Sequence, residues 1–377
     1  VAVRREPDLR ALSASFPRSE VAAFRAAESS NGRWRDWTKT AAIAIVIIGL
    51  LAGAIPLIGA VFLVADGRGE PGAFLFPLLV AAAVVGGVFL TRRMRWWMWE
   101  RRLRLTCFAR DNGLAYDEPG DRVGYPGAAF GVGSARSRGT SFRSVDGPSV
   151  EFGNYQWSTG SGKNRRTHRI GFAAMRLERA LPHMVLDARG NNGFFGSGVI
   201  PFPFDRDQVL SLEGDFDEHF TLFCPSDYER DALYVFTPDV MALLIDSSSL
   251  LDVEIVDDWV FFYSTTPFDF DVPATWQRLF GVHDEIVGKL HRVAGRYRDE
   301  RVAGQDPLRD GASAYNPVSI DPSAFAPAPG GVPTSSQPPR HFVVGEGGRR
   351  LRSGTSWVTI LAIVLIAGVW IVTQFLR

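Results

Sequence analysis

Residues 41–65 read AAIAIVIIGLLAGAIPLIGAVFLVA, a run of 25 positions without one charge. At 1.5 Å per residue such a run exceeds the ~30 Å hydrocarbon core of a bilayer. Pro56 lies inside it and is tolerable there as a kink. A second uncharged run covers 71–91, and the short polar link Asp66-Gly67-Arg68-Gly69-Glu70 makes the two a helical hairpin. A third run covers 353–376. A buried core helix is the alternative for each, but length without charge favours lipid. The reading is therefore three transmembrane helices, at 41–65, 71–91 and 353–376.

The arginines orient them, because Lys and Arg flanking short loops stay inside. Arg25, Arg33, Arg35 and Lys39 precede the first run, and Arg68 stands alone in the link. Arg92, Arg93, Arg95, Arg101, Arg102, Arg104 and Arg110 follow the second run. Arg340, Arg349, Arg350 and Arg352 precede the third, and Arg377 alone follows it. This predicts a multi-pass plasma-membrane protein with N-terminus and main domain cytoplasmic and C-terminus outside. The 40 largely polar residues before the first run argue against a cleaved signal peptide.

The segment 92–110 opens with arginine interleaved with tryptophan: Arg92, Arg93, Arg95, Trp96, Trp97, Trp99, Arg101 and Arg102. Trp favours the headgroup zone, and a basic residue there contributes ~1 kcal/mol on an anionic leaflet. The segment reads as a topology anchor or, more sharply, as a lipid or phosphate contact. No ionisable residue lies within the runs, which argues against a proton-coupled transporter and leaves open a pore built by oligomers. Gly49 and Gly53 have helix-packing spacing, as do Ala82/Gly86 and Ala83/Gly87. They suit packing within the hairpin or a homo-oligomer through Gly49/Gly53.

The soluble remainder divides into residues 1–40, a cytoplasmic α+β domain at 111–300 on a mainly antiparallel sheet, and a Pro/Gly-rich disordered linker at 301–352. Residues 149–157 and 167–177 are strands flanking a Gly/Ser/Asn loop, and 183–187 is a further short strand. Residues 218–224 alternate as a strand, and 231–236 is extended. Thr237-Pro238-Asp239 starts a helix over 240–246. Residues 252–256 and 259–264 suggest a hairpin about Asp257-Asp258, and 273–298 an amphipathic helix.

Forty-one basic residues balance 41 acidic ones, so a nucleic-acid partner is not indicated. Charge is nonetheless uneven: residues 205–271 hold 17 acids against Arg206 and Arg230. That stretch is a solvated acidic face, or a surface for a basic protein partner or divalent cations. Two cysteines, Cys107 and Cys224, fit a reducing compartment.

The stretches Leu212–Leu222 and Ala232–Leu244 resemble a bacterial membrane-anchored family of unknown function. Its pattern is Phe-x-x-x-Phe-x-Val-Tyr, then Thr-Pro-x-x-Met-x-x-Leu. Phe216, Phe220, Thr237, Pro238, Met241 and Leu244 meet it, while Leu222 and Phe223 depart from valine and tyrosine. The resemblance covers roughly 40–265, and the third run marks an actinobacterial variant. It implies two N-terminal membrane helices, a basic exit segment and a cytoplasmic domain, and brings no assigned activity.

No catalytic motif emerges. Ser158-Thr159-Gly160-Ser161-Gly162-Lys163-Asn164 lacks the first glycine and the final Ser/Thr of a phosphate loop, so it reads as a turn. Its tip, with Lys163, Arg165 and Arg166, is a second lipid or phosphate contact. The glycines at 190, 193, 196 and 198 lack dinucleotide-loop spacing. Cys224 and His219 point to opposite strand faces, and His283 and His291 are too far apart along a helix to share a metal. No cofactor, metal or catalytic residue is called. The reading is a non-enzymatic membrane protein presenting a cytoplasmic binding or scaffold module. The rivals are an enzyme assembled from His168, His183 and carboxylates of 205–231, and an oligomeric transport or pore component.

Overall fold

The computed structural model describes residues 6–30, 37–65, 75–120, 123–146, 149–191, 204–248, 250–302 and 344–351. These form two compact units, one of residues 8–111 and the other of the remaining described residues.

The first unit is helical: α1 (Arg10–Ser13), α2 (Arg18–Ser30), α3 (Trp37–Ala65) and α4 (Leu75–Asp111). Helices α3 and α4 pack on each other. A Cβ on Gly49 would run into Val84, and one on Gly53 would stand 3.3 Å from Val80. Gly87 faces Ile45 in the same way at 3.2 Å, whereas nothing lies close to Gly86. Small residues let the two backbones approach, and Gly49/Gly53 is thus engaged within the chain.

Among the described residues no helix is long and apolar enough to cross a membrane. This corrects the expectation of three transmembrane helices at 41–65, 71–91 and 353–376. Part of the apolar surface of 41–65 is used against α4. The described apolar part of the second run, 75–91, supplies about 26 Å at 1.5 Å per residue, short of the ~30 Å core. It then continues without a break into the arginine segment as one 37-residue helix. The link 66–70, the start of the second run and the whole of 353–376 lie outside the described residues.

The second unit is the expected α+β domain. Its strands are β1 (Leu114–Asp117), β2 (Ser134–Ser144), β3 (Val150–Thr159), β4 (Arg166–Ala188), β5 (Val209–Leu210), β6 (Phe220–Phe223) and β7 (Asp252–Ser264). They form one seven-stranded antiparallel sheet in the order β1-β2-β3-β4-β6-β5, with β7 on the other edge of β4. The helices are α5 (Ala128–Gly131), α6 (Phe216–His219), α7 (Glu229–Val235), α8 (Pro238–Ser248), α9 (Pro273–Gly281) and α10 (Gly288–Arg296). A π-helical turn over Val282–Val287 joins the last two, so the amphipathic helix expected over 273–298 is continuous in course.

β4 organises the domain. The strands expected at 167–177 and 183–187 are one 23-residue strand, irregular between Arg176 and Met184 where Pro182 sits. Along one edge it pairs first with β3 and then with β6; along the other it pairs with β7. The hairpin expected at Asp257-Asp258 is absent. Asp257 takes a left-handed conformation (φ 54°) within β7, and the strand continues past it. Asp tolerates that conformation better than most residues. The extra residue changes the parity of the strand: Glu254 and Val256 share a face with Trp259, Phe261 and Tyr263. The extension expected at 231–236 is instead helix α7, with acids in its first turn and Ala232 and Val235 buried at a three-residue spacing. Of 218–224, only Phe220–Phe223 is strand.

Two aromatic cores flank the sheet. On one face Phe130 of α5 packs with Tyr155, Trp157, Phe172, Phe261 and Tyr263. On the other, Trp276 of α9 meets Phe142 at 4.6 Å and Phe270 at 5.2 Å between ring centres, and its indole donates to the Phe270 carbonyl. The motif positions Phe216 and Phe220 stack at 5.1 Å, and Thr237 donates to Asp239 at the start of α8. These are core and helix-capping roles.

Residues 344–351 are seated on this domain. The Gly345 amide donates to Asp299 (2.8 Å), Arg350 pairs with Asp257, and the Leu351 amide donates to His183 Nδ1 (2.9 Å).

Candidate functional site

In the helical unit α2 and α4 enclose a cavity of about 280 Å³. Arg18, Val21, Ala22 and Arg25 line it from α2, and Arg92, Arg95, Trp96 and Trp99 from α4. The two sets have the same spacing, i, i+3, i+4 and i+7, which puts each on one helical face. Val21 is buried, Arg25 and Arg95 are half-buried, and Arg18 and Arg92 are exposed. Trp99 is 2% exposed and is fixed from two sides. Phe24 meets it edge-on at 6.2 Å, and the Arg102 guanidinium lies 4.8 Å above its ring. Arg104 donates to the Ala14 carbonyl (3.3 Å) and pairs with Glu100 at 3.6 Å, tying the segment before α2 to α4.

Four guanidiniums and two indoles thus line one cavity. Arginine presents paired donors that match a phosphate or carboxylate. The volume falls near the lower end of ordinary ligand pockets, ~300–1,000 Å³, enough for a headgroup and too little for a dinucleotide.

The structure thus brings together four of the residues singled out in the sequence: Arg92, Arg95, Trp96 and Trp99. Arg93 and Trp97 are exposed on other faces of α4, Arg101 is half-buried, and Arg102 covers Trp99. Arg18 and Arg25 of α2 join them, and the sequence alone does not mark these two as site residues. Their signal was the matching seven-residue spacing, legible only once a partner helix is known. Lys163, Arg165 and Arg166 belong to the other unit, exposed at the β3–β4 turn that Gly160 and Gly162 allow with φ of 75° and 56°. Beside them His168 stacks on Trp157 at 5.2 Å and contacts Thr159 at 2.8 Å.

The α+β domain buries a polar cluster of its own. Glu254 accepts from His183 Nε2 (3.0 Å), Tyr263 Oη (2.8 Å) and the Ala128 amide (2.9 Å). Burial and the adjacent Glu254 carboxylate push the Tyr263 phenol far up, so it stays a donor. With Leu351 donating to Nδ1, the His183 proton resides on Nε2. Each of these groups is satisfied by a neighbour, the pattern of a structural hub. The expected partners of His183 in 205–231 are replaced by Glu254. Cys224 is buried and its thiol is pushed up to about 12 by desolvation, which leaves it unreactive. Within 205–271 the acids divide: Asp252 and Glu254 point inward, Asp258 pairs with Arg176 (2.7 Å), and Asp239 with Lys289 (2.7 Å). Among the described residues no cluster of three or more His, Cys, Asp or Glu is placed to hold a metal.

Fold and site together define a two-part protein: an antiparallel α+β domain, and a helical unit that holds an apolar α3–α4 pair and a basic, aromatic cavity between α2 and α4. No protein-family model matches the chain. No curated protein matches it either. Among solved structures, the crystal structure of the mycobacterial trehalose monomycolate transport factor A, TtfA, aligns with 50% of this chain and 92% of its own. Sequence identity is 13% and the TM-score 0.34, too low a likeness for any argument.

Proposed function

We propose that the protein is an integral membrane protein held to the lipid bilayer by α3 and the first half of α4, and that it presents its α+β domain as a binding or scaffold module at the cytoplasmic face. One observation carries this reading: the helix pair turns its apolar side chains outward. Ile48, Leu50, Phe62, Leu79, Val85 and Phe89 are each about two-thirds exposed. Soluble surfaces rarely hold so long an apolar patch, and such patches mark membrane or partner contacts. Moving the exposed two-thirds of six such side chains out of water is favourable by roughly 1–2 kcal/mol each, and each arginine at an anionic surface adds ~1 kcal/mol. The arginine and tryptophan collar follows at once on α4, where the headgroups would lie. Arginine-rich flanks on both sides of the pair support the inner face. The proposal concerns attachment to lipid and requires no third helix.

The test is alkaline carbonate extraction of membranes carrying the full chain, with a reporter fused after Glu300. Retention in the pellet with a reporter active only in the cytoplasm is the expected result. Release by carbonate would overturn the attachment, and a reporter active outside would overturn the orientation.

A further inference from the structure

We infer that the groove holding residues 344–351 is a peptide-docking site that exchanges its occupant, and that its ligand in trans is the same segment of a second copy of this chain. The inference names a partner for the α+β domain and stands whether or not the helix pair enters a bilayer.

The groove is made of acceptors that the domain itself sets in place. Asp299, 1% exposed, takes the Gly345 amide (2.8 Å) and is held by the Tyr228 hydroxyl (2.8 Å) and Arg301 (3.0 Å). Glu254 accepts from His183 Nε2, which leaves Nδ1 to accept the Leu351 amide (2.9 Å). Asp257, at the left-handed position of β7, takes the Arg350 guanidinium with both carboxylate oxygens (2.8 and 2.9 Å). The Tyr228 ring lies against the segment and admits glycine. A Cβ on Gly348 would run into that ring, and one on Gly345 would stand 2.9 Å from its hydroxyl. The groove therefore reads a pattern: two glycines three positions apart, then arginine, on a chain that donates backbone amides.

The occupant is separable. Its turn is closed by its own bonds: the Gly348 amide donates to the Gly345 carbonyl (3.0 Å) and Arg349 to the Val344 carbonyl (3.2 Å). It buries little, since Val344 and Gly348 are inside whereas Glu346, Gly347 and Arg350 are exposed. Segments with few buried apolar contacts open at a small fraction of the global unfolding free energy. The connection is also far longer than closure on the same copy demands. Val302 lies 3.8 Å from a Cβ built at Gly345, so the chain passes one place twice. Forty-one residues, 303–343, join those two passages. A short turn would serve, and a chain of that length can span up to ~140 Å, enough to seat the segment on a neighbour. Two copies that trade segments make the same contacts as two closed ones, so exchange costs only the freedom lost on association.

The experiment uses the full chain purified in a non-ionic detergent. Two variants divide the contact. The tail variant, Gly348→Val/Arg350→Glu, spoils the segment and keeps the groove; the groove variant, Asp257→Asn/Asp299→Asn, does the reverse. A fluorescent, end-blocked peptide of residues 344–351 is titrated and followed by anisotropy. It should bind the tail variant about tenfold or more tighter than wild type, whose own segment competes with the advantage of its tether. Adding the groove changes to the tail variant should weaken the peptide about tenfold per carboxylate. The same peptide carrying Gly348→Val should not bind. Differently tagged tail and groove variants are then mixed. Each supplies what the other lacks, so they should co-purify about tenfold above either variant mixed with itself. Near-ultraviolet circular dichroism checks that each variant is folded, and Asp257→Asn alone replaces a groove variant that is not. No peptide binding by the tail variant, equal binding of the valine peptide, or no pairing of the two variants above the self-mixtures would overturn the inference.

Discussion

The two units place their large hydrophobic residues in opposite ways. In the α+β domain they point inward: Trp276, Phe142, Phe152 and Phe172 are all but inaccessible. In the helix pair they point outward, with Phe62 at 71% exposure and Leu79 at 66%. The same residue types thus do different work. In the first case water is excluded by other side chains, and in the second the exposed surface calls for something outside the chain. The polar groups reverse likewise. The domain surrounds Glu254 with donors from the chain itself, whereas the helical unit lines its cavity with Arg18, Arg25, Arg92 and Arg95.

Mutation can break this contrast. Trp276→Ala should cost the α+β domain ~3–5 kcal/mol, from lost transfer energy and the void left under Phe142 and Phe270. Leu79→Ala should leave the same unfolding transition within ~0.5 kcal/mol. Urea unfolding followed by near-ultraviolet circular dichroism compares them, and equal losses would mean that the outward residues are a core after all.

Glu254→Ala should come next, at about 3 kcal/mol, because His183 and the Ala128 amide would lose their acceptor in a dry place. Thermal unfolding measures it. Tyr263→Phe should lose about 1 kcal/mol, since only one hydrogen bond goes.

The seat of 344–351 should respond to acid. Burial alone would raise the Asp299 carboxyl, but the Gly345 and Arg301 amides, the Tyr228 hydroxyl and the Arg301 guanidinium hold it below its ordinary value. A depressed acid contributes fully above its unfolded pKa of ~3.9 and loses that contribution as pH falls through the lower folded value. Hydrogen exchange at the Gly345 amide should therefore show protection at neutral pH that fades below about pH 4. In Asp299→Asn the protection should be weak throughout; unchanged protection would show that Asp299 does not hold the segment.

The smallest effect is expected at Lys289. Its pair with Asp239 is solvent-facing, and Lys289→Ala should change stability by less than ~1 kcal/mol in urea titration. A larger loss would mean that the Lys289–Asp239 pair fastens α8 to α10 more strongly than a solvent-facing pair should.

How much of this was legible beforehand differs by feature. The β3 strand, the turn after it, the start of α8 and the amphipathic course of 273–296 all follow from local spacing, and the structure has them. The extended reading of 231–236 fails because Ala232-Leu233-Tyr234-Val235 suits either period, and burial at Ala232 and Val235 decides for helix. Asp257-Asp258 carries turn-type residues, yet β4 runs long enough to pair with β7 on both sides of them. Length without charge suggested three membrane crossings. It could not show that Gly49, Gly53 and Gly87 bring part of that surface against a second helix, or that α4 runs on unbroken through its arginines.

By itself, the chain of residue types settled where apolar and basic character change over, that an antiparallel α+β domain follows, and which helices carry a greasy face. Those are properties of neighbours a few positions apart, and periodicity records them. Only the folded molecule decided that Arg18 and Arg25 face Arg92 and Arg95, that His183 meets Glu254, and that Leu351 returns to cap that histidine. Contacts between residues 70 or more positions apart are set by how elements pack, and nothing in local spacing encodes which distant surface an element will find.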